Sequence, residues 1–130
     1  MFGIHGEYQL QQEGDILIIH SKGPFNTKLV DQFSTEMETI IKNLPAAWGQ
    51  VVFLAEDSML PPDAEKSLQK ACSRRREQGL TASAIIFVSA ATTFTMRAQV
   101  CRIYDHVGIH YQFFDDSAAA QAWVATKLKF

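Results

Sequence analysis

Apolar and polar positions alternate, cluster and recur along the chain in a pattern that divides it into short segments. Tyr8 to Gln12 alternates, with Tyr8 and Leu10 on one face, as a half-buried strand does. Glu13-Gly14-Asp15 is a turn signal, and Asp15 to His20 carries a second strand. A gap that short makes the pair a hairpin, hence antiparallel. Gly23-Pro24 then breaks the chain. Asn26 is a good N-cap, and after it Val30, Phe33, Met37, Ile40, Ile41 and Leu44 recur at helical spacing until Pro45.

Gln50 to Ala55, QVVFLA, is a continuous apolar run of the kind buried on both faces. Asp63 to Gln78 reads as a helix with Ala64, Leu68, Ala71 and Cys72 on one side and Gly79 as its stop. Ala84 to Val88 is another buried strand. Thr93 to Val107 is a third helix, with Met96, Val100, Ile103, Tyr104 and Val107 inward and Gly108 at its end. Ile109 to Phe114 is the last strand. Asp115, Asp116 or Ser117 caps a final helix that turns Ala119, Ala122, Trp123 and Leu128 to the core. The order is β-β-α-β-α-β-α-β-α. A helix between successive buried strands forces parallel pairing with right-handed crossovers. The expectation is an α/β fold with a mixed, mostly parallel sheet.

Composition narrows the classes. At 130 residues, without repeat, linker or low-complexity tract, the chain fits one domain with a proper core. Its net charge of −2, from 14 acidic and 12 basic residues, offers no basic face for nucleic acid. The opening MFGIHGEYQL lacks a basic stretch followed by an apolar run, so no signal peptide is expected. Ile16 to Ile19 is far too short to span a bilayer. Cys72 and Cys101 make no disulfide framework, and the cytoplasm is the expected compartment.

A leading hairpin followed by βα units resembles the STAS fold of anti-sigma-factor antagonists, and more closely the SpoIIAA-like family of small bacterial domains. The resemblance is carried by Gly23-Pro24-Phe25-Asn26, Trp48-Gly49, Gly79-Leu80 and Arg102-Ile103-Tyr104, with Phe113-Phe114-Asp115-Asp116 and Ala122-Trp123 near the end. These motifs are caps, turns and core, and none is a catalytic signature. The resemblance implies a STAS-like fold over nearly the whole chain and a non-enzymatic regulatory or ligand-binding role, with no cofactor.

In the anti-sigma antagonists an Asp-Ser-Ser/Thr-Gly motif follows the matching strand, and its serine is phosphorylated by a partner kinase. Asp57-Ser58 stands at that place, making Ser58 the candidate phosphorylation site. Met59-Leu60-Pro61-Pro62 replaces the rest of the motif, so the glycine is missing and the helix starts late. Ser58 therefore reads as a serine turn rather than a switch. His5, His20, His106 and His110 show no metal-ligand spacing, because Gly108 separates the last two. Cys72 and Cys101 read as structural, although Arg75 and Arg76 lie one turn beyond Cys72. Arg74-Arg75-Arg76 reads as a solvated helix end, open to an anionic partner.

The remaining candidate is an edge. In parallel α/β sheets ligands bind outside the carboxyl ends of the strands. Three loops leave that edge, Gly23 to Asn26, Glu56 to Pro62 and Ser89 to Thr95. They carry apolar Phe25, Met59, Leu60 and Phe94, beside Thr92, Thr93 and Arg97 at a helix start suited to an anion. The sequence thus points to a small anionic or amphiphilic ligand, a regulatory protein, or peripheral contact with a membrane surface. The expected placement puts the head group at the helix N-terminus and the apolar loop residues over the rest.

Overall fold

The computed structural model describes residues 6–55, 58–88 and 93–129. The chain forms β1 (Glu7–Glu13), β2 (Ile16–Lys22), α1 (Thr27–Ile41), β3 (Trp48–Leu54), α2 (Pro62–Glu77), β4 (Leu80–Phe87), α3 (Thr93–Val107), β5 (His110–Phe114) and α4 (Ser117–Lys127). The element order matches the sequence reading. Strand β3 begins at Trp48 rather than Gln50 and β4 at Leu80 rather than Ala84; Ser83, polar yet buried, interrupts the apolar run of β4 and bonds to Gln50.

β1 pairs antiparallel with β2, with Leu10 opposite Ile19, and every later pairing is parallel. The strands lie side by side in chain order, β1-β2-β3-β4-β5. A right-handed crossover places its helix on a side fixed by the direction of travel across the sheet. All three crossovers travel the same way, so α1, α2 and α3 share one face. There Leu17, Ile19, Val52 and Ile85 of the strands meet Met37, Cys72, Ile103 and Val107 of the helices. α4 covers the opposite face, with Ala120 and Val124 against Ile18, Val51, Ala84 and Ile86.

Local chemistry fixes the element ends. The Asn26 side-chain oxygen accepts the Leu29 N–H at 2.8 Å, and that of Asp116 accepts the Ala119 N–H at 2.9 Å. Between α2 and β4, Gly79 sits at φ +112°, where a Cβ would also run into the Ala46 carbonyl, so only glycine fits.

Two inward stripes differ from the sequence reading. On α4, Ala119 and Ala122 are exposed whereas Ala120 and Val124 are buried; Trp123, beside Phe114, and Leu128 pack partly buried against that core, as the sequence reading has it. The reason lies in β3, where Gly49 leaves room for Val124; a Cβ there would overlap Val124 Cγ1. On α2, the arginine run is not uniformly solvated. Arg74 is exposed and pairs with Glu38 at 3.1 Å, but Arg75 retains only 4% of its accessible surface. Arg75 lies three residues beyond Cys72 and so continues the buried stripe of Ala64, Leu68 and Cys72.

Candidate functional site

The three-helix layer does not seal completely onto the sheet. A cavity of about 100 Å³ lies between them, walled by β2 and β3 on one side and by α1, α2 and α3 on the other. Most of its wall is apolar, from Ile19, Val52 and Leu54 of the strands to Phe33, Leu68 and Met96 of the helices. At the strand-end edge it is bounded by the loop residues Phe25, Ser58 and Leu60. Gln50, Tyr104 and Arg75 line it too. Gln50 lies at the start of β3 and Arg75 in the last turn of α2, both at the end of their element remote from those loops.

Leu60 is held in place by a side chain that the sequence reading passed over. Gln99, buried on α3, accepts the Leu60 N–H through Oε1 and donates to the Leu60 carbonyl through Nε2, both at 2.9 Å. The same Nε2 donates to Glu65 Oε1 at 2.9 Å, and Arg102 grips the Glu65 carboxylate with two nitrogens at 2.6 and 2.7 Å. The Arg102 hydrogen bonds hold the Glu65 carboxyl below the usual carboxylate range, against its partial burial. This network ties α2, α3 and the loop before α2 into one unit.

The polar end is a buried cluster. Gln50 Nε2 donates to Ser83 Oγ at 3.1 Å and to the Tyr104 hydroxyl at 3.0 Å, and Ser83 Oγ lies 3.1 Å from that hydroxyl. Burial pushes the Tyr104 phenol up to about 12. Burial also raises the Cys72 thiol, and the nearby Arg75 charge offsets only part of that, so Cys72 is a thiol and not a thiolate. Arg75 directs Nη1 at Cys72 Sγ, 3.6 Å away, and its guanidinium lies 5.1 Å from the Phe33 ring centre. Its Nη2 has no hydrogen-bond partner, and neither has Gln50 Oε1. Among the described residues no carboxylate lies within 4.0 Å of Arg75.

The structure brings together some of the residues singled out from sequence and separates others. Phe25, Leu60 and Ser58 all line the cavity, and the buried Ser58 hydroxyl donates to the Ala55 carbonyl at 2.6 Å. Met59 is half-buried but is not part of the cavity wall. Thr93 opens α3, and Phe94 beside it is 87% exposed. Arg97 does not reach the cavity; its guanidinium rests 4.1 Å from the Phe113 ring centre. Asp57, Thr92, Ser89 and His5 lie outside the described residues. His20 stacks on Phe53, and His106 and His110 are exposed. Among the described residues no three His, Cys, Asp or Glu side chains gather to hold a metal. No helix among them is long and apolar enough to cross a membrane.

No family model and no curated protein matches the chain. Among solved structures, it is similar to an uncharacterised protein of the DUF3478 family with a SpoIIAA-like fold, from Shewanella loihica PV-4. The TM-score is 0.63 at 14% identity, over 92% of this chain and 94% of that one. Strand order, the antiparallel leading hairpin and this match agree, and the chain has a SpoIIAA-like fold.

Proposed function

We propose that this protein is a single, non-enzymatic binding domain that takes a small amphiphilic ligand into the cavity between its helical layer and its sheet. One observation carries the reading. The cavity is apolar over most of its wall, is bounded by loops on the strand-end side, and contains buried polar atoms that no protein group satisfies. Apolar cavities with a few convergent polar groups are the usual form of a small-molecule site. Two nucleophiles weighed from the sequence are engaged or masked in the fold. Among the described residues, the Ser58 hydroxyl bonds only a backbone carbonyl, and Cys72 is a buried thiol with no histidine beside it.

Peripheral membrane contact is a second part of the reading. Phe94 and Val88, the large apolar side chains most exposed among the described residues at 87% and 61%, flank the connection from β4 to α3. Apolar groups so exposed suit insertion into a lipid surface. A phosphorylation switch at Ser58 is disfavoured, because the side chain is 7% exposed and its hydroxyl is already bonded.

The test is native mass spectrometry of the purified protein for a co-purified small molecule. Titration with short- and long-chain fatty acids and with anionic and zwitterionic vesicles goes beside it. Wild type is expected to bind a short amphiphile with one-to-one stoichiometry, and Leu60→Ser with Phe94→Ser is expected to weaken both short-chain and vesicle binding. Absence of binding to every probe by wild type refutes the reading.

A further inference from the structure

Among the described residues Arg75 is the one buried charged side chain, and its hydrogen bonding is left incomplete, as is that of its neighbour in the cavity wall, Gln50. An arginine stays charged at any pH a protein survives, and burying a charge without a partner costs several kcal/mol in general. Its Nη1 touches only a thiol sulfur, a poor acceptor, and one face of the guanidinium lies over Phe33. Nη2 is unpaired inside a cavity wall that is otherwise nearly all carbon. The exposed neighbour Arg74 has its carboxylate, Glu38, while the buried Arg75 has none. Only 4% of Arg75 is exposed, so bulk solvent gives it little compensation.

From this geometry we infer that the cavity's ligand is an apolar monocarboxylic acid, bound with its carboxylate inward against Arg75 and its hydrocarbon end toward Phe25 and Leu60. The inference rests on the binding-domain reading above and adds the ligand's chemical class and its orientation. A planar guanidinium matches a carboxylate better than any other anchor the fold offers. Gln50 supplies a second contact. Ser83 and Tyr104 hydroxyls can donate as well as accept. The amide can therefore turn over, give its oxygen to them and present its N–H₂ to the carboxylate. Size narrows the class further. A cavity of about 100 Å³ is somewhat smaller than the ~150 Å³ apolar cavity known to hold benzene. It suits a short chain, of about six carbons at most, rather than a membrane-length fatty acid. The orientation is the reverse of the one expected from helix N-termini, which placed the anion at the loop edge.

The experiment compares hexanoate with hexan-1-ol, its neutral counterpart, by titration calorimetry on wild type, Arg75→Met and Arg75→Lys. Wild type is expected to bind hexanoate about 30-fold or more tightly than hexan-1-ol, the discrimination typical of a buried charge pair. Arg75→Met is expected to lose that factor for hexanoate and to keep hexan-1-ol within about threefold; Arg75→Lys is expected to fall between. Equal wild-type affinity for acid and alcohol overturns the inference and leaves the binding-domain reading standing. Undiminished hexanoate binding by Arg75→Met does the same. Failure of both probes to bind wild type also overturns the inference; the binding-domain reading falls with it only if the other ligands and vesicles fail as well. If Arg75→Met does not fold, the acid-to-alcohol ratio of wild type and the Arg75→Lys result decide alone.

Discussion

Gly49 and Val124 form a contact that can be taken apart from both sides. Gly49 lies in β3, and a Cβ added there overlaps Val124 Cγ1 and comes within 3.3 Å of the Ala82 carbonyl. Gly49→Ala therefore overpacks the α4 face, which costs ~1–3 kcal/mol. Alanine recovers ~0.5–1 kcal/mol of backbone entropy relative to glycine in a strand, so the net loss is expected at about 1–2 kcal/mol. Val124 is fully buried, and Val124→Ala removes two methyl carbons with partial collapse, for about 2 kcal/mol. Simple addition gives about 3–4 kcal/mol. The double variant should lose far less, because the new methyl at position 49 occupies the space that Val124 vacates. The expected coupling is about 1.5 kcal/mol in favour of the pair. Urea unfolding of the four proteins, with slopes checked for constancy, measures it. Costs that add to within about 0.5 kcal/mol would show that α4 does not seat on Gly49.

Three further outcomes are expected. Gln99→Ala removes both bonds to the Leu60 backbone, so the Leu60 amide should exchange with solvent at least ten times faster, and short-chain ligand binding should weaken while the Trp48 environment stays unchanged; unchanged exchange at Leu60 would refute the clamp. Glu65 has its folded pKa depressed by Arg102, so its stabilising contribution is present above the ordinary carboxylate range and is lost as pH falls through the depressed value. The stability difference between wild type and Glu65→Gln should accordingly be widest near neutrality and close in acid, read from thermal midpoints across pH; a difference that does not change with pH contradicts the ion pair. Cys72 should resist iodoacetamide at pH 8 in the native protein, whereas half-buried Cys101 reacts, and both should react in denaturant. Rapid native labelling of Cys72 would mean that the helical layer opens readily.

Much of this molecule is legible in its sequence because period and punctuation agree. The cap at Asn26, a cap among Asp115, Asp116 and Ser117 that the structure narrows to Asp116, the stops at Gly79 and Gly108 and the contrast of strand and helix spacing fix the element order without reference to tertiary structure. The phase of α4 is not legible, because an alanine-rich helix has little amphipathic contrast. Which of Ala119, Ala120 and Ala122 faces the sheet depends on a glycine in another strand. Arg75 was concealed by its neighbours. Three successive arginines read as one charged helix end, although the middle one alone continues the stripe of Leu68 and Cys72. Gln99 likewise lies at inward spacing between Met96 and Ile103, and only its residue type argued against burial. The location of the site depends on strand order. A strand-end crevice forms where the order of a sheet reverses, and here the order never reverses. The space that remains open is beneath the helices instead.

That unreversed order also bears on how the chain folds as it emerges from the ribosome. Each strand docks beside the one made just before it, so the sheet can grow outward from the hairpin in the order of synthesis. The three crossover helices close one side of each step as it forms. The other side has to wait for α4, made after all five strands, whose Ala120 and Val124 cover Ile18, Val51, Ala84 and Ile86. Until it arrives, a nascent chain carries a greasy, half-built sheet, the kind of surface that attracts chaperones and promotes aggregation. A chain stopped at Asp115 is therefore expected to pellet after synthesis, and to be recovered in solution when a peptide spanning α4 is added in trans.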